Sequence, residues 1–235
     1  MIRIILIFLI GFASLLNASE SVGKKYKLGL LMGIQSSYLS TNNPINYKYH
    51  KATFLPALIF DCQVSENWSI RTGMTYSIQG GNSKDYPQTT ILQPEGTGKF
   101  FWFTSSISYL EIPLNINYKL NLLPIDLVIG MGPTFGYLLS AYTYMEADFK
   151  IEEDFRDDIS NKLNKLNFIV NTSIFTTFKI SDNIFIEIGS NFSNGLFDIF
   201  NEKLIIANNT LPSEEQNLFF KTRSVNFFMV LTVNL

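Results

Sequence analysis

The chain holds one cysteine, Cys62, and one histidine, His50, among 235 residues. A lone thiol excludes a disulfide scaffold and a cysteine-built zinc site. A lone imidazole removes most histidine-based metal or triad chemistry from a single chain. Charge is scarce as well: 16% of residues are Asp, Glu, Lys or Arg, where a soluble domain carries roughly 25%. There is no basic stretch and the formal net charge is -2, which argues against a nucleic-acid partner. Apolar residues make up 46% of the chain and aromatics 14%. That much apolar surface at low net charge excludes disorder.

The first twenty residues read as an export signal. Arg3 supplies the positive region, residues 4–12 (IILIFLIGF) the apolar core, and the small and polar run 13–19 a cleavage zone, with the cut expected after Ala18. The expected division is therefore a signal peptide at 1–20 and one folded domain at 21–235. Beyond residue 20 no apolar run reaches the ~20 residues of a membrane-spanning helix. An exported chain too apolar for water, and without such helices, points to an outer-membrane β-barrel.

Alternation with period two carries that reading through the chain. In residues 26–40, Tyr26, Leu28, Leu30, Met32 and Ile34 share one face, while Lys27, Gly29, Leu31, Gly33, Gln35 and Ser37 share the other. Segments 68–80, 108–120, 125–139, 166–180, 184–194 and 225–235 behave alike. Segment 53–64 is less regular, with Pro56 inside it. Eight strands result. Short turns at 65–67, 121–124 and 181–183 alternate with long polar connections at about 41–52, 80–107, 140–165 and 195–222. The fold expected is all-β: an eight-stranded antiparallel up-and-down transmembrane barrel with short periplasmic turns and long extracellular loops.

Register follows from matching the apolar faces across each short turn, because a one-residue slip mixes them. Pairing Val64 with Trp68 sets Asp61 opposite Arg71. Pairing Leu120 with Ile125 sets Lys119 opposite Asp126, and pairing Ile180 with Ile184 aligns the third hairpin. In a membrane barrel the apolar face meets hydrocarbon and the polar face fills the lumen. The inward face then holds Lys27, Arg71, Lys119 and Lys179 against Asp61, Glu111, Asp126 and Glu187. This balanced set, with Gln35, Gln79 and several asparagines, should form a hydrogen-bonded plug, since buried charges must pair. Eight strands enclose only enough space for side chains. Tyr26, Trp68 and Tyr118 near the short-turn ends, and Tyr38, Tyr76 and Tyr137 near the long-loop ends, are placed as two aromatic girdles.

The segment 109–119 (YLEIPLNINYK) resembles a signature strand of the PorT-like outer-membrane β-barrel family, and 68–81 (WSIRTGMTYSIQGG) resembles the strand before it. The resemblance implies an outer-membrane location and a barrel over the mature chain, with no biochemical role attached to particular residues. Leu235 departs from the terminal aromatic residue of many assembly signals.

The loops carry weaker signals. His50 follows Tyr47-Lys48-Tyr49 in the first long connection, and no local motif ties a serine and an acid to it as triad chemistry requires. The acidic stretch 146–158 lacks the spaced oxygens and glycine of an EF-hand. A solvated charged loop or weak divalent bridging to lipopolysaccharide are its two readings. Residues 96–103 (GTGKFFWF) lack a complete phosphate-loop pattern. The function expected is that of a non-enzymatic, cofactor-free structural or interaction protein of the envelope, acting through its extracellular loops. Its expected surroundings are outer-membrane lipid and lipopolysaccharide, with envelope or secretion proteins as partners and the chain as a monomer. A narrow solute channel, an accessory role in protein secretion and lipid A chemistry at His50 are the alternatives.

Overall fold

The computed structural model describes residues 26–41, 49–82, 86–87, 100–122, 125–147, 156–201, 204–205, 217–218 and 220–235. The expected signal peptide lies outside them. Eight long strands run in chain order: β1 (Tyr26–Thr41), β2 (Tyr49–Gln63), β3 (Trp68–Asn82), β4 (Phe100–Leu122), β5 (Ile125–Ala147), β6 (Leu166–Lys179), β7 (Ile184–Gly195) and β8 (Phe220–Asn234). Each pairs antiparallel with the next, and β1 pairs with β8 from Lys27 with Asn234 to Thr41 with Phe220. The sheet is thus a closed eight-stranded antiparallel barrel. Closure leaves none of these strands with an unpaired edge, which is what a sheet in hydrocarbon requires.

The hairpins show what parity fixes and what it leaves free. In β2 and β3, Asp61 stands opposite Arg71, and in β6 and β7, Lys179 stands opposite Phe185. Both agree with face matching. The β4–β5 hairpin differs: Leu122, not Leu120, faces Ile125, so Lys119 faces Val128 and Asn121 faces Asp126. A two-residue shift leaves every side chain on its own face, so the apolar pattern cannot detect it. Turn length decides it, because the strands run on to a two-residue connection at 123–124.

The strands are also longer than alternation indicates. β4 and β5 each hold 23 residues, the former starting at Phe100. At ~3.3 Å per residue that is about 75 Å of strand, well beyond the ~9–11 tilted residues that cross a bilayer. The aromatic run 100–103 is therefore barrel wall, and the true connections are shorter than expected. His50 lies on β2 opposite Gly81, not in a loop. Pro56 falls where the β2–β3 ladder is interrupted between His50 and Ala57, so its missing N–H costs no bond to β3. Gly80 has φ +148°, and a Cβ there would run into the Ser105 carbonyl oxygen, so β3 crosses β4 at this point only as glycine.

The outer surface is apolar. Phe227 is 66% exposed, Ile116 56% and Leu30 57%, and leucine, isoleucine, methionine and phenylalanine continue round all eight strands. A monomer in water rarely exposes apolar patches beyond a few hundred Å². A belt this continuous needs hydrocarbon against it. Inside, the buried residues are mixed. Gln35, Asn117, Glu187 and Thr232 share the interior with Ile59, Phe175, Phe228 and Val230. Beside the polar filling, β2 and β8 turn an apolar layer of Ala57, Ile59, Phe228 and Val230 inward.

Candidate functional site

The lumen is built in layers. Nearest the short turns, Lys27, Lys119, Asp126, Trp68 and Asn234 surround an open vestibule of about 290 Å³. Its floor is Arg71. The guanidinium Nε and Nη2 donate to the two Asp61 oxygens at 2.8 and 2.6 Å, and Nη2 also donates to Glu187 Oε2 at 2.6 Å. Its face lies 4.4 Å from the centroid of Phe175. Asp61 comes from β2, Arg71 from β3 and Glu187 from β7, which stands four strands from β3 either way round. The bridge therefore spans the full width of the barrel. The three residues are 6%, 7% and 2% exposed, and both carboxylates share the one guanidinium. Arginine suits this position because its planar fork serves two acceptors while its stem and face remain apolar.

Above the bridge, Gln79 Nε2 donates to Glu111 Oε1 and to Ser77 Oγ, and Ser77 Oγ donates to Gln35 Oε1 at 3.0 Å. Asn171 donates to Thr134 Oγ1, and Asn167 to Thr222 Oγ1. This layer ties β1, β3 and β4 on one side and β5, β6 and β8 on the other. Higher still, the filling becomes apolar: Leu39, Ile107, Tyr109, Leu138, Ala141 and Phe220 of the wall meet Ile159, Leu163 and Ile199 from between the strands. Backbone bonds hold these inserts together, from Asn164 N to Ile199 O at 2.7 Å and Asn201 N to Lys162 O at 3.0 Å. Asp158 accepts from the Ser160 N–H at 2.9 Å, and Ser160 Oγ accepts from the Ala141 N–H at 2.8 Å. These Ser160 bonds hold the Asp158 carboxyl below the ordinary range.

The remaining charges placed inward by the sequence pattern do not join the bridge. Lys119 Nζ stands 3.9 Å from Asp126 Oδ2, both partly exposed at the vestibule rim and offset by the hairpin shift. Lys179 binds Asp182 at 2.8 Å in its own turn, and this bond lowers the Asp182 carboxyl. Lys179 ends its strand, so its long stem reaches solvent more cheaply than the interior. Lys27 Nζ lies 4.5 Å from the Phe185 ring centroid. The balanced set of four and four is thus split between rim and interior.

Of the six girdle positions, Trp68 and Tyr118 pack with ring centroids 4.7 Å apart, and Tyr26 stacks on Phe60 at 5.5 Å. At the other end, Tyr76 and Tyr137 flank Leu110 in one cross-strand row. The Tyr76 hydroxyl is 3.4 Å from Ser108 Oγ, and Arg223 donates to the Tyr38 hydroxyl at 3.5 Å. On β3, eight residues separate Trp68 from Tyr76, about 26 Å of strand and some 20 Å of height at ~40° tilt.

Sequence reasoning missed two parts of the filling. Phe175 shares the inward row of β6 with Asn167, Ile169, Asn171 and Ser173, and its ring lies against the Arg71 guanidinium. The apolar inserts Ile159 and Leu163 are isolated in a polar connection and Ile199 lies in another beside Phe197 and Phe200, and nothing in the pattern says that they meet. The acidic residues 148–155 and the glycine-rich 96–99 lie outside the described residues.

A family model described as outer membrane protein beta-barrel domain matches residues 12–201. Comparison with curated proteins gives no match. Among solved structures, the chain is similar to Neisserial surface protein A, with 10% identity over 89% of this chain and 97% of that one and a TM-score of 0.43. It is also similar to a major outer membrane protein from Thermus thermophilus, with 8% identity over 90% and 99% and a TM-score of 0.48. The outer membrane protease OmpT from Escherichia coli is similar at 8% identity over 90% and 97%, with a TM-score of 0.38.

Proposed function

Because this chain belongs to the outer membrane protein beta-barrel domain family, we propose that it is a non-conducting barrel of the outer membrane serving as a structural or interaction protein of the envelope. The observation that carries the reading is the Asp61, Arg71 and Glu187 bridge, which joins opposite walls with bonds of 2.6 to 2.8 Å. An aqueous pore needs a continuous wet path and ion-attracting groups along it. Here a paired guanidinium closes the path at one level, and the apolar layer around Leu163 and Ile199 closes it at another. With the interior committed to filling, the surfaces left for partners are the connections at the long-loop end and the vestibule at the short-turn end. On this reading the protein is monomeric and non-enzymatic, and lipid and lipopolysaccharide surround its apolar belt. Export uses a cleaved signal at 1–20. The segments 68–81 and 109–119 support placing it in the PorT-like branch of the family.

Planar-bilayer recording of the refolded barrel tests the occlusion. No steady conductance is expected, and a stable ohmic current from the wild-type chain would overturn the proposal in favour of a narrow channel. Crosslinking through the long connections in native outer membranes, followed by identification of the adducts, tests the interaction role. Adducts with lipopolysaccharide or envelope proteins are expected, and a barrel with none would remove that role.

A further inference from the structure

The bridge does not neutralise the interior. Asp61 and Glu187 share Arg71, and Lys27 stands near Glu187 at the vestibule. Glu111 is left over: among the described residues no lysine or arginine pairs with it. Instead it borders a second cavity, of about 70 Å³, on the inner side of Arg71, together with Thr134, Asn115, Asn171, Asn191 and Asn226. All four asparagines have a buried Oδ1 without a hydrogen-bond partner. Two of the amide nitrogens are engaged, since Asn171 Nδ2 donates to Thr134 Oγ1 and Asn191 Nδ2 to Ser193 Oγ. Their oxygens are therefore the groups left free.

One carboxylate and four amide oxygens border one small cavity, with the Arg71 guanidinium and the Thr75, Thr134 and Ser173 hydroxyls on the same lining. Water can donate to the amide oxygens, but it brings no charge, and an ionised carboxylate in an enclosed site costs several kcal/mol unless compensated. Carboxylate and carbonyl oxygens suit hard cations. The volume equals about two water molecules' share of the liquid, enough for one ion with little hydration. One leftover negative charge calls for one positive charge. We propose that the inner lumen binds a hard monovalent cation of the sodium class, held by Glu111 and the amide oxygens of Asn115, Asn171 and Asn191. The ion would sit above the Arg71 bridge as a further part of the filling. This is separate from the occlusion, which conductance measures by itself.

The test is the thermal stability of the refolded full-length barrel, read as loss of the compact band on SDS gels after stepwise heating. Melting is compared in sodium chloride, calcium chloride and choline chloride at equal ionic strength, with lithium and potassium chloride as size controls. For the wild type, sodium should raise the melting temperature by several degrees over choline. Glu111→Gln should lose that increment, and Glu66→Gln, at the vestibule rim, should keep it. Asn191→Leu, a change at a half-buried position, provides a second variant should Glu111→Gln fail to fold, and it too should lose the increment. Equal melting in sodium and choline would refute the site. So would an increment that survives both inner-lumen variants, or one that appears with calcium alone. A wild type that responds to proton concentration but to no metal ion would assign the compensating charge to a proton on Glu111 and overturn the proposal.

Discussion

Replacing Arg71 with methionine keeps much of the stem volume and removes the cation that both Asp61 and Glu187 touch. Removing one partner of a buried ion pair costs about 3–5 kcal/mol, because the other charge stays behind without compensation. Here two carboxylates are left, each under a tenth exposed. The contact with Phe175, worth about 1–2 kcal/mol when desolvated, is lost too. Partial protonation of the stranded pair offsets some of this. We expect Arg71→Met to lose about 4 kcal/mol, nearly a thousandfold in the folding equilibrium at ~1.4 kcal/mol per decade. Urea unfolding of the barrel in lipid vesicles, followed by tryptophan fluorescence, measures it. Arg71→Lys should fall between, since an ammonium cannot present two parallel bonds to Asp61 and a third to Glu187. The triple variant Asp61→Asn, Arg71→Met, Glu187→Gln should regain most of the loss, as neutralising all three removes the stranded charge. If Arg71→Met lies within about 1 kcal/mol of wild type, charge pairing in the lumen is not what the bridge contributes. If the triple variant is no better than the single one, packing of the stem explains the loss instead.

Leu114, on the outer face of β4 and 46% exposed, lies between the Trp68 and Tyr118 pair and the Tyr76 and Tyr137 row. Leu114→Lys should lose about 2–4 kcal/mol in vesicles, the midplane cost of a lysine on a lipid-facing barrel position, and an unchanged urea midpoint would misplace the belt. A Cβ at Gly132 would collide with the Leu114 carbonyl oxygen, so Gly132→Val should cost about 1–3 kcal/mol by forcing β4 and β5 apart; equal midpoints for the variant and wild type would contradict that crossing. Asp158 has its carboxyl lowered by the Ser160 bonds, so the ionised form favours the folded segment. That contribution is complete above the ordinary carboxylate range and is lost as pH falls through the lowered value. Hydrogen exchange at 159–163 should therefore quicken in acid ahead of the barrel strands, and Asp158→Asn should quicken it at neutral pH; exchange that follows the strands instead would detach Asp158 from the cap.

Strand count, closure and the direction of each face were legible because one physical demand, apolar outside and filled inside, repeats at every second residue of every strand. Asp61 opposite Arg71 follows from that parity together with a three-residue turn. The same rule could not separate Leu120 from Leu122 as the partner of Ile125, since both lie on the outer face. It also could not place Glu187 against Arg71. Register relates neighbours, and β3 and β7 are as far apart as the barrel allows, so their contact depends on side-chain reach across the interior. Lys179 and Lys27 face inward by parity yet sit at strand ends, where a long stem chooses solvent or an aromatic ring. The capping residues Ile159, Leu163 and Ile199 obey no period at all. Their burial depends on two connections folding over one rim, which is a long-range event.

The reach of Arg71 also bears on the order in which the molecule comes together. Its bonds to Asp61 arise inside a single hairpin, whereas the bond to Glu187 joins residues 116 positions apart. A half-rolled ribbon can therefore satisfy the first and never the second. Until the ends meet, the arginine has spare donors and the glutamate travels without a counterion. The last seam to close is the one that brings them together, so a finished cylinder differs from an unfinished one by a latch at its waist.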